Sequence, residues 1–190
     1  YGMAMTIGGE RWTQTLSPLM ASPASRLPLF LGRALPLIVN GIITSAFAFF
    51  VSWLLLDFEL SRSQLPALAV VVAASAFSCT SLGLLVGAIG LRGRDVFFIA
   101  NLVVFSLLLF CGVNVPLDTL PNWMEAVGRA LPLTHGIEAA REIAAGATLG
   151  DVSSLVWTEV AIGVAYATVA YALFRFFEIE GRRRATLETI

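Results

Sequence analysis

Four stretches of this chain run for more than twenty residues with at most one charge, and that pattern restricts the fold more than any other feature. Ala34 to Leu56 is 23 uncharged residues, Ser63 to Leu91 is 29, and Val96 to Leu117 is 22. A fourth stretch, Val152 to Phe174, is interrupted only by Glu159. A hydrocarbon core about 30 Å thick takes roughly 20 apolar residues per helix at about 1.5 Å each. All four are therefore expected to cross a membrane. The charge-free part of the last, Val160 to Phe174, is 15 residues. That is about 22 Å at about 1.5 Å per residue, which places Glu159 near one membrane boundary. The fold class expected is an all-α polytopic membrane protein with four full transmembrane helices. A soluble globular domain is excluded: the chain is 57% apolar and 13% charged, where soluble domains carry roughly 25% charged residues.

The residue types that are missing exclude several chemistries. Every one of the 12 basic residues is arginine. Without lysine there is neither a Walker A phosphate loop nor a Schiff-base lysine. The single histidine, His135, excludes a His-rich metal site, and Cys79 and Cys111 lack the C-x-x-C spacing of a zinc knuckle or redox pair. No basic run is interleaved with aromatics, which argues against nucleic-acid binding. An intramembrane serine protease would need a Ser and a His paired at membrane depth; Ser75, Ser78 and Ser81 are available, but His135 falls outside the spans.

Arginine placement sets the expected topology, because basic residues near span ends stay cytoplasmic. With both termini inside, the inner segments hold Arg11, Arg26, Arg33, Arg92, Arg94, Arg175 and Arg182 to Arg184, and the outer ones only Arg62, Arg129 and Arg141. Trp53, Trp123 and Trp157 then fall at the outer interface and Trp12 at the inner one. The first residues, 1–9, read as the end of an upstream span. Residues 10–33 form a cytoplasmic elbow, 118–151 an outer amphipathic hairpin and 175–190 a cytoplasmic tail, all within one transmembrane domain.

In the elbow, Trp12, Leu16, Leu19 and Met20 would share a helical face, with Pro18 bending it. A second start has Ser22 as N-cap and Pro23 at the first helical position. A membrane-surface anchor and a docking surface for a cytoplasmic partner both fit. In the outer hairpin, Leu120, Trp123, Met124, Val127 and Leu131 fit one face of a helix that Pro121 starts and Pro132 stops. Thr134 is expected to cap a second helix, Gly136 to Ala145, with Glu138 and Arg141 as i, i+3 neighbours and Gly146 closing its end. The break from Cys111 to Pro116 before them reads either as the start of a re-entrant, lid-like hairpin or as a plain interfacial loop.

Within the spans, Ser75, Cys79, Gly83 and Gly87 form a small-residue ridge suited to close helix packing, and Gly163, Ala167 and Tyr171 a weaker one. Glu159 is the ionisable residue inside a span; near the boundary it suits a structural or gating role better than a proton relay. Asn40 and Asn101 are uncharged polar residues that would glue helices or face a substrate path. His135 reads as a capping or loop histidine rather than a catalytic base.

Two of these segments carry a resemblance. Glu10-Arg11, Leu16, Ala21 to Arg26 and Leu31-Gly32-Arg33, followed by spans, resemble the ABC type-2 permease family. The outer signature is similar too: Gly112-Val113 to Pro116, Leu120-Pro121-Asn122-Trp123, Leu131 to His135, and Arg141 five residues before Gly146. The resemblance covers Glu10 to Phe174. It implies a six-span permease whose first span and most of its second lie upstream of this sequence. It also implies a coupling elbow, here Glu10, Arg11, Trp12, Leu16, Ser22, Pro23 and Arg26, that sits on an ATP-binding cassette subunit. One departure is Trp12 to Leu16, where family members often read Gly-Thr-Leu-Glu.

By that resemblance the chain is the transmembrane subunit of an exporter of multidrug-resistance type in a bacterial plasma membrane, moving a drug, lipid or polysaccharide outward. It is not itself an enzyme and holds no cofactor. ATP and Mg belong to the partner subunit, expected in two copies, and a second permease protomer and membrane lipids complete the surroundings. Pro116, Leu120, Pro121, Trp123, Pro132, His135 and Arg141 would shape the outer gate. An ion-coupled secondary transporter using Glu159 is the alternative.

Overall fold

The computed structural model describes residues 26–56, 64–90 and 96–185, and all of its regular structure is helical. Glu10, Arg11, Trp12, Leu16, Ser22 and Pro23 lie outside the described residues. Six α-helices follow in order: α1 Arg26–Leu56, α2 Gln64–Gly90, α3 Val96–Phe110, α4 Asn122–Ala130, α5 Thr134–Ala144 and α6 Ser153–Ala185, with a 3₁₀ turn at Leu117–Thr119.

Three of the helices are long and apolar enough to cross a membrane, within Leu35–Ser52, Gln64–Gly90 and Ser153–Phe177. The third expected span is shorter than its charge-free stretch. α3 has 15 residues, about 22 Å at about 1.5 Å each, and stops at Phe110 instead of continuing to Leu117. The physical reason is Gly112, whose φ of +74° is left-handed and cannot propagate a right-handed helix. α6 shows the opposite difference. It has 33 residues and continues helical past Phe174 through the charged segment, because Glu and Arg are strong helix formers and leaving the hydrocarbon does not oblige a helix to end. α1 likewise begins at Arg26 and runs without interruption into the span, although Pro36 removes one i→i−4 bond, to the carbonyl of Gly32.

The bundle is organised around α2, which packs against α6, α1, α5 and α3. Small side chains make this possible: Ala67, Ala74, Ser78, Ser81, Gly83, Gly87 and Ala88 are buried along it. Of the glycine ridge, Gly83 and Gly87 are buried while Ser75 and Cys79 are half-buried. α6 comes close where Gly163 faces α2; a Cβ there would sit 2.9 Å from the Phe77 ring and from Ser78 Cα. α1 and α3 instead present apolar side chains outward, such as Phe47, Leu55, Phe98 and Phe105, the expected state of a surface solvated by lipid. α3 is anchored mainly at its start, where Val96 and Ala100 are buried against Val86.

The α2–α6 contact gives a stability prediction. Gly163→Val should separate the two helices and cost roughly 1–3 kcal/mol, the usual penalty of overpacking. Gly41→Ala, whose new Cβ would meet Ala76 at an ordinary 3.7 Å, should be neutral to slightly stabilising, since Ala is the better helix former. Thermal unfolding in detergent would check both; equal midpoints would show that the α2–α6 contact is not tight.

Candidate functional site

The segment between α3 and α6 folds back on the bundle as a hairpin of two short helices, and every helix end in it needs partners for its backbone groups. The first four N–H groups and last four carbonyls of a helix are unsatisfied within it. Where these groups are buried and water is excluded, each unpaired one costs about 1–3 kcal/mol.

Pro121 sits immediately before α4, where its missing N–H is no loss. At the other end of α4, Leu131 N–H donates to Gly128 O at 3.0 Å and Thr134 Oγ1 to the same carbonyl at 2.6 Å. Tyr166, on α6, donates its hydroxyl to Ala130 O at 3.2 Å. His135 Nε2 lies 3.2 Å from Arg129 O, and because a carbonyl only accepts, that nitrogen carries the proton. Pro132, in the turn, ends the helix, and its carbonyl accepts from Cys111 Sγ at 3.3 Å. Gly128 is required because a Cβ there would run into the Phe110 carbonyl at the end of α3.

α5 starts at Thr134, two residues earlier than expected, and Thr134 does not cap it. The N-cap position is Leu133, which has no side-chain oxygen and adopts a left-handed φ of 83°, a conformation that costs roughly 1–2 kcal/mol. The cap comes from α6 instead. Glu159 is fully buried; its Oε1 accepts from Leu133 N–H at 2.7 Å and its Oε2 from Gly136 N–H at 3.3 Å. The Ser78 hydroxyl on α2 donates to Oε1 as well. A carboxylate on a helix N-terminus is favoured by the macrodipole in addition to its hydrogen bonds. Gly136 also lies directly against Ser75: a Cβ there would meet the native Ser75 side chain, with Ser75 Cβ at 3.2 Å.

Under these bonds lies an apolar cluster of Ala67, Leu68 and Val71 from α2, Ala139 and Ile143 from α5, and Val152, with Leu155 and Val156 of α6 packed against it. Burying a side chain the size of Ile143 contributes roughly 1.5–3 kcal/mol. Gln64 Nε2, at the start of α2, donates to Ile143 O at 2.7 Å. α5 then closes on Gly146, φ +108°, with Gly146 N–H donating to Ile143 O at 3.0 Å and Ala147 N–H to Glu142 O at 2.9 Å, the two bonds of a Schellman ending. The loop to α6 is held by Asp151, whose carboxyl accepts from Thr148 N–H and hydroxyl at 2.8 and 2.7 Å. Those bonds pull it below the usual carboxylate range.

Arg141 is directed away from its own helix. Its guanidinium donates to Gly112 O at 2.8 Å, supplying a partner to the break after α3. Glu125 instead pairs with Arg129, at 2.7 Å. Trp123 is 64% exposed and meets the Phe110 ring edge-on, centroids 6.3 Å apart. The apolar side of α4 thus faces outward at Trp123 and Val127, while its inward contact is Gly128. Leu120 is half-buried and Pro116 exposed.

The structure therefore brings Pro132, His135, Arg141 and Glu159 into one neighbourhood and leaves Asn40 and Asn101 outside it. Both asparagines are exposed; Asn101 Nδ2 bonds its own helix at Phe97 O, 2.9 Å, and Asn40 O accepts from Thr44 at 2.8 Å. Sequence reasoning placed Glu159 near a boundary but did not connect it with Leu133, Gly136 and Ser78. Tyr166, Thr134 as a cap on α4, and Gln64 were also missed. No side-chain signal marked the remote cap, because Thr134 itself reads as an N-cap and the Leu133 position is set only by the fold.

A family model described as ABC-2 type transporter matches residues 3–144. The chain belongs to the ABC-2 type transporter family. The match ends with α5, so the family region contains both backbone donors to Glu159 while Glu159 itself lies beyond it. The chain is similar to the probable multidrug ABC transporter permease YbhR of Escherichia coli K12, 23% identical over 179 residues, 90% of this chain and 47% of that protein. It is similar as well to the inner membrane transport permease YhhJ of Escherichia coli K12, 30% identical over 118 residues, 60% of this chain and 31% of that protein. Nodulation protein J of Rhizobium leguminosarum bv. trifolii is 30% identical over 112 residues, 59% of this chain and 39% of that protein. The chain thus spans about half the length, or less, of these relatives. No solved structure matches it. With three helices able to cross a membrane, this ABC-2 chain is a multi-pass membrane protein of permease type.

Removing the remote cap should be costly. Glu159→Ala leaves two buried N–H groups unpaired, at about 1–3 kcal/mol each, so a loss of about 2–6 kcal/mol is expected. Glu159→Gln should recover only part, since its amide nitrogen would face a donor. Ser78→Ala, which removes one hydroxyl, should lose least. Unfolding midpoints of the three variants would check the order; a fully stable Glu159→Ala would remove Glu159 from the role of cap.

Proposed function

We propose that this chain is the transmembrane part of an ATP-driven exporter. A separate ATP-binding cassette subunit, present in two copies, supplies ATP and Mg chemistry, and a second permease protomer completes the pathway. The observation that carries this reading is the ABC-2 match over residues 3–144. Both termini are cytoplasmic in a bacterial plasma membrane, and the hairpin is on the outer side, as the nine-to-three arginine bias favours. The cargo is a drug, lipid or polysaccharide, and the name of YbhR favours the first.

Motion would enter through the elbow. Glu10, Arg11, Trp12, Leu16, Ser22 and Pro23 would meet the ATPase subunit, and α1, continuous from Arg26 through the membrane, would carry their displacement into the bundle. Inward-open and outward-open arrangements would alternate as subunit motion biases one over the other.

An ion-coupled transporter using Glu159 is the second reading. It is disfavoured because both carboxylate oxygens are already occupied by donors from Ser78, Leu133 and Gly136.

Reconstitution of the full chain with its cassette subunit in proteoliposomes tests the proposal. ATP should drive substrate efflux, and Arg11→Ala should lower ATP-coupled efflux about tenfold, a typical coupling free energy, without lowering the unfolding midpoint. Efflux that ignores ATP, collapses with the proton gradient and disappears in Glu159→Gln would instead establish the second reading.

A further inference from the structure

Helices at the mouth of a transport bundle invite description as a lid. The contacts of α5 argue against that here. α5 packs on both α2 and α6, and three separate interactions join it to them. Glu159 of α6 holds its N-terminus, Gln64 of α2 holds its C-terminus, and Ala139 and Ile143 are fully buried against Ala67, Leu68 and Val71 between those ends. A lid hinges at one edge. α5 has no unattached edge, because both of its ends and its buried face are fixed.

The neighbouring pieces are tied to the same body. The closing carbonyls of α4 are taken by Thr134 and His135 of α5 and Tyr166 of α6. Lifting the hairpin would expose the apolar cluster and strand several backbone groups at once, and the low-stability segments that serve as lids carry few buried contacts.

We propose that the hairpin is a fixed roof: α2, α5 and α6 move as one body throughout the transport cycle, and α5 never separates from α2. This rests on the exporter reading above, and it locates the moving surfaces elsewhere, on the faces of α1 and α3 that the rest of the chain leaves exposed.

The contact between Ser75 and Gly136 allows a direct test. A Cβ at Gly136 would lie 3.2 Å from Ser75 Cβ, close to the roughly 3.5–4.5 Å of a disulfide. Ser75→Cys with Gly136→Cys would be made in the full chain carrying Cys79→Ala and Cys111→Ser, assembled with its cassette subunit in proteoliposomes. Oxidation with copper phenanthroline should join the two cysteines with and without ATP, and ATP-driven efflux of the oxidised protein should stay within about twofold of the reduced protein, since a gating step that does not involve the bond is not slowed. Efflux lost on oxidation and restored by dithiothreitol would overturn the proposal, as would failure of the disulfide to form in a folded complex. Should the double variant not fold, alkylation of buried Cys111 by a membrane-permeant maleimide in the Cys79→Ala chain decides. An equal rate in the nucleotide-free and vanadate-trapped states is expected, and a rate faster by about tenfold or more in one state, the mark of local opening, overturns the roof. Absence of ATP-driven efflux in the unmodified complex would instead reject the exporter reading, which separates the two failures.

Discussion

A helix that ends inside a membrane protein must hand its unpaired backbone groups to something other than water, and the whole hairpin end of this bundle is arranged around that obligation. α3, α4 and α5 all terminate within one neighbourhood. Leu133 and the prolines at 121 and 132 bring no side-chain donor or acceptor to these ends, and the prolines bring no N–H. Leu131, Thr134 and His135 close α4 from nearby, and further partners come from far along the chain: Arg141 for the break after α3, Tyr166 for α4, and Glu159 for α5. Local backbone demands are thereby converted into long-range contacts that join α6 to the hairpin and, through Ser78, to α2.

Glu159 illustrates how a carboxyl group is accommodated in a fully buried position. An isolated buried carboxylate is prohibitively expensive. This one accepts from two backbone N–H groups and a hydroxyl, and faces the positive end of a helix dipole. Among the described residues, the groups that hydrogen-bond to it carry no full countercharge. The arrangement meets the carboxyl group's acceptor demand with oriented dipoles.

Much of this fold was legible in the sequence, for identifiable reasons. The charge-free stretches locate the long helices because lipid demands a run of apolar residues whatever the neighbours are. Pro121, Pro132 and Gly146 mark hairpin boundaries because their effects are local. The length of α3 was not legible: Val113 and Leu117 are as apolar as the helix itself, and only the left-handed Gly112 separates them from it. The burial of Glu159 was hidden for a different reason. Its partners are two N–H groups 23 and 26 residues away and a serine on another helix, and backbone donors leave no trace in side-chain chemistry. The start of α5 was misplaced for the same reason, since Thr134 looks like an N-cap and serves the preceding helix instead.

The Gly136 amide has a consequence for how such chains diverge. That residue has no side chain because Ser75 fills the space, and its N–H is directed at Glu159. A lineage that replaced the glutamate would lose the electrostatic reason for the close approach, and one that enlarged the glycine would push the carboxylate's partners apart. Positions 75, 136 and 159 are therefore expected to drift together or not at all, a three-point correlation joining segments on either side of the family model's boundary at residue 144.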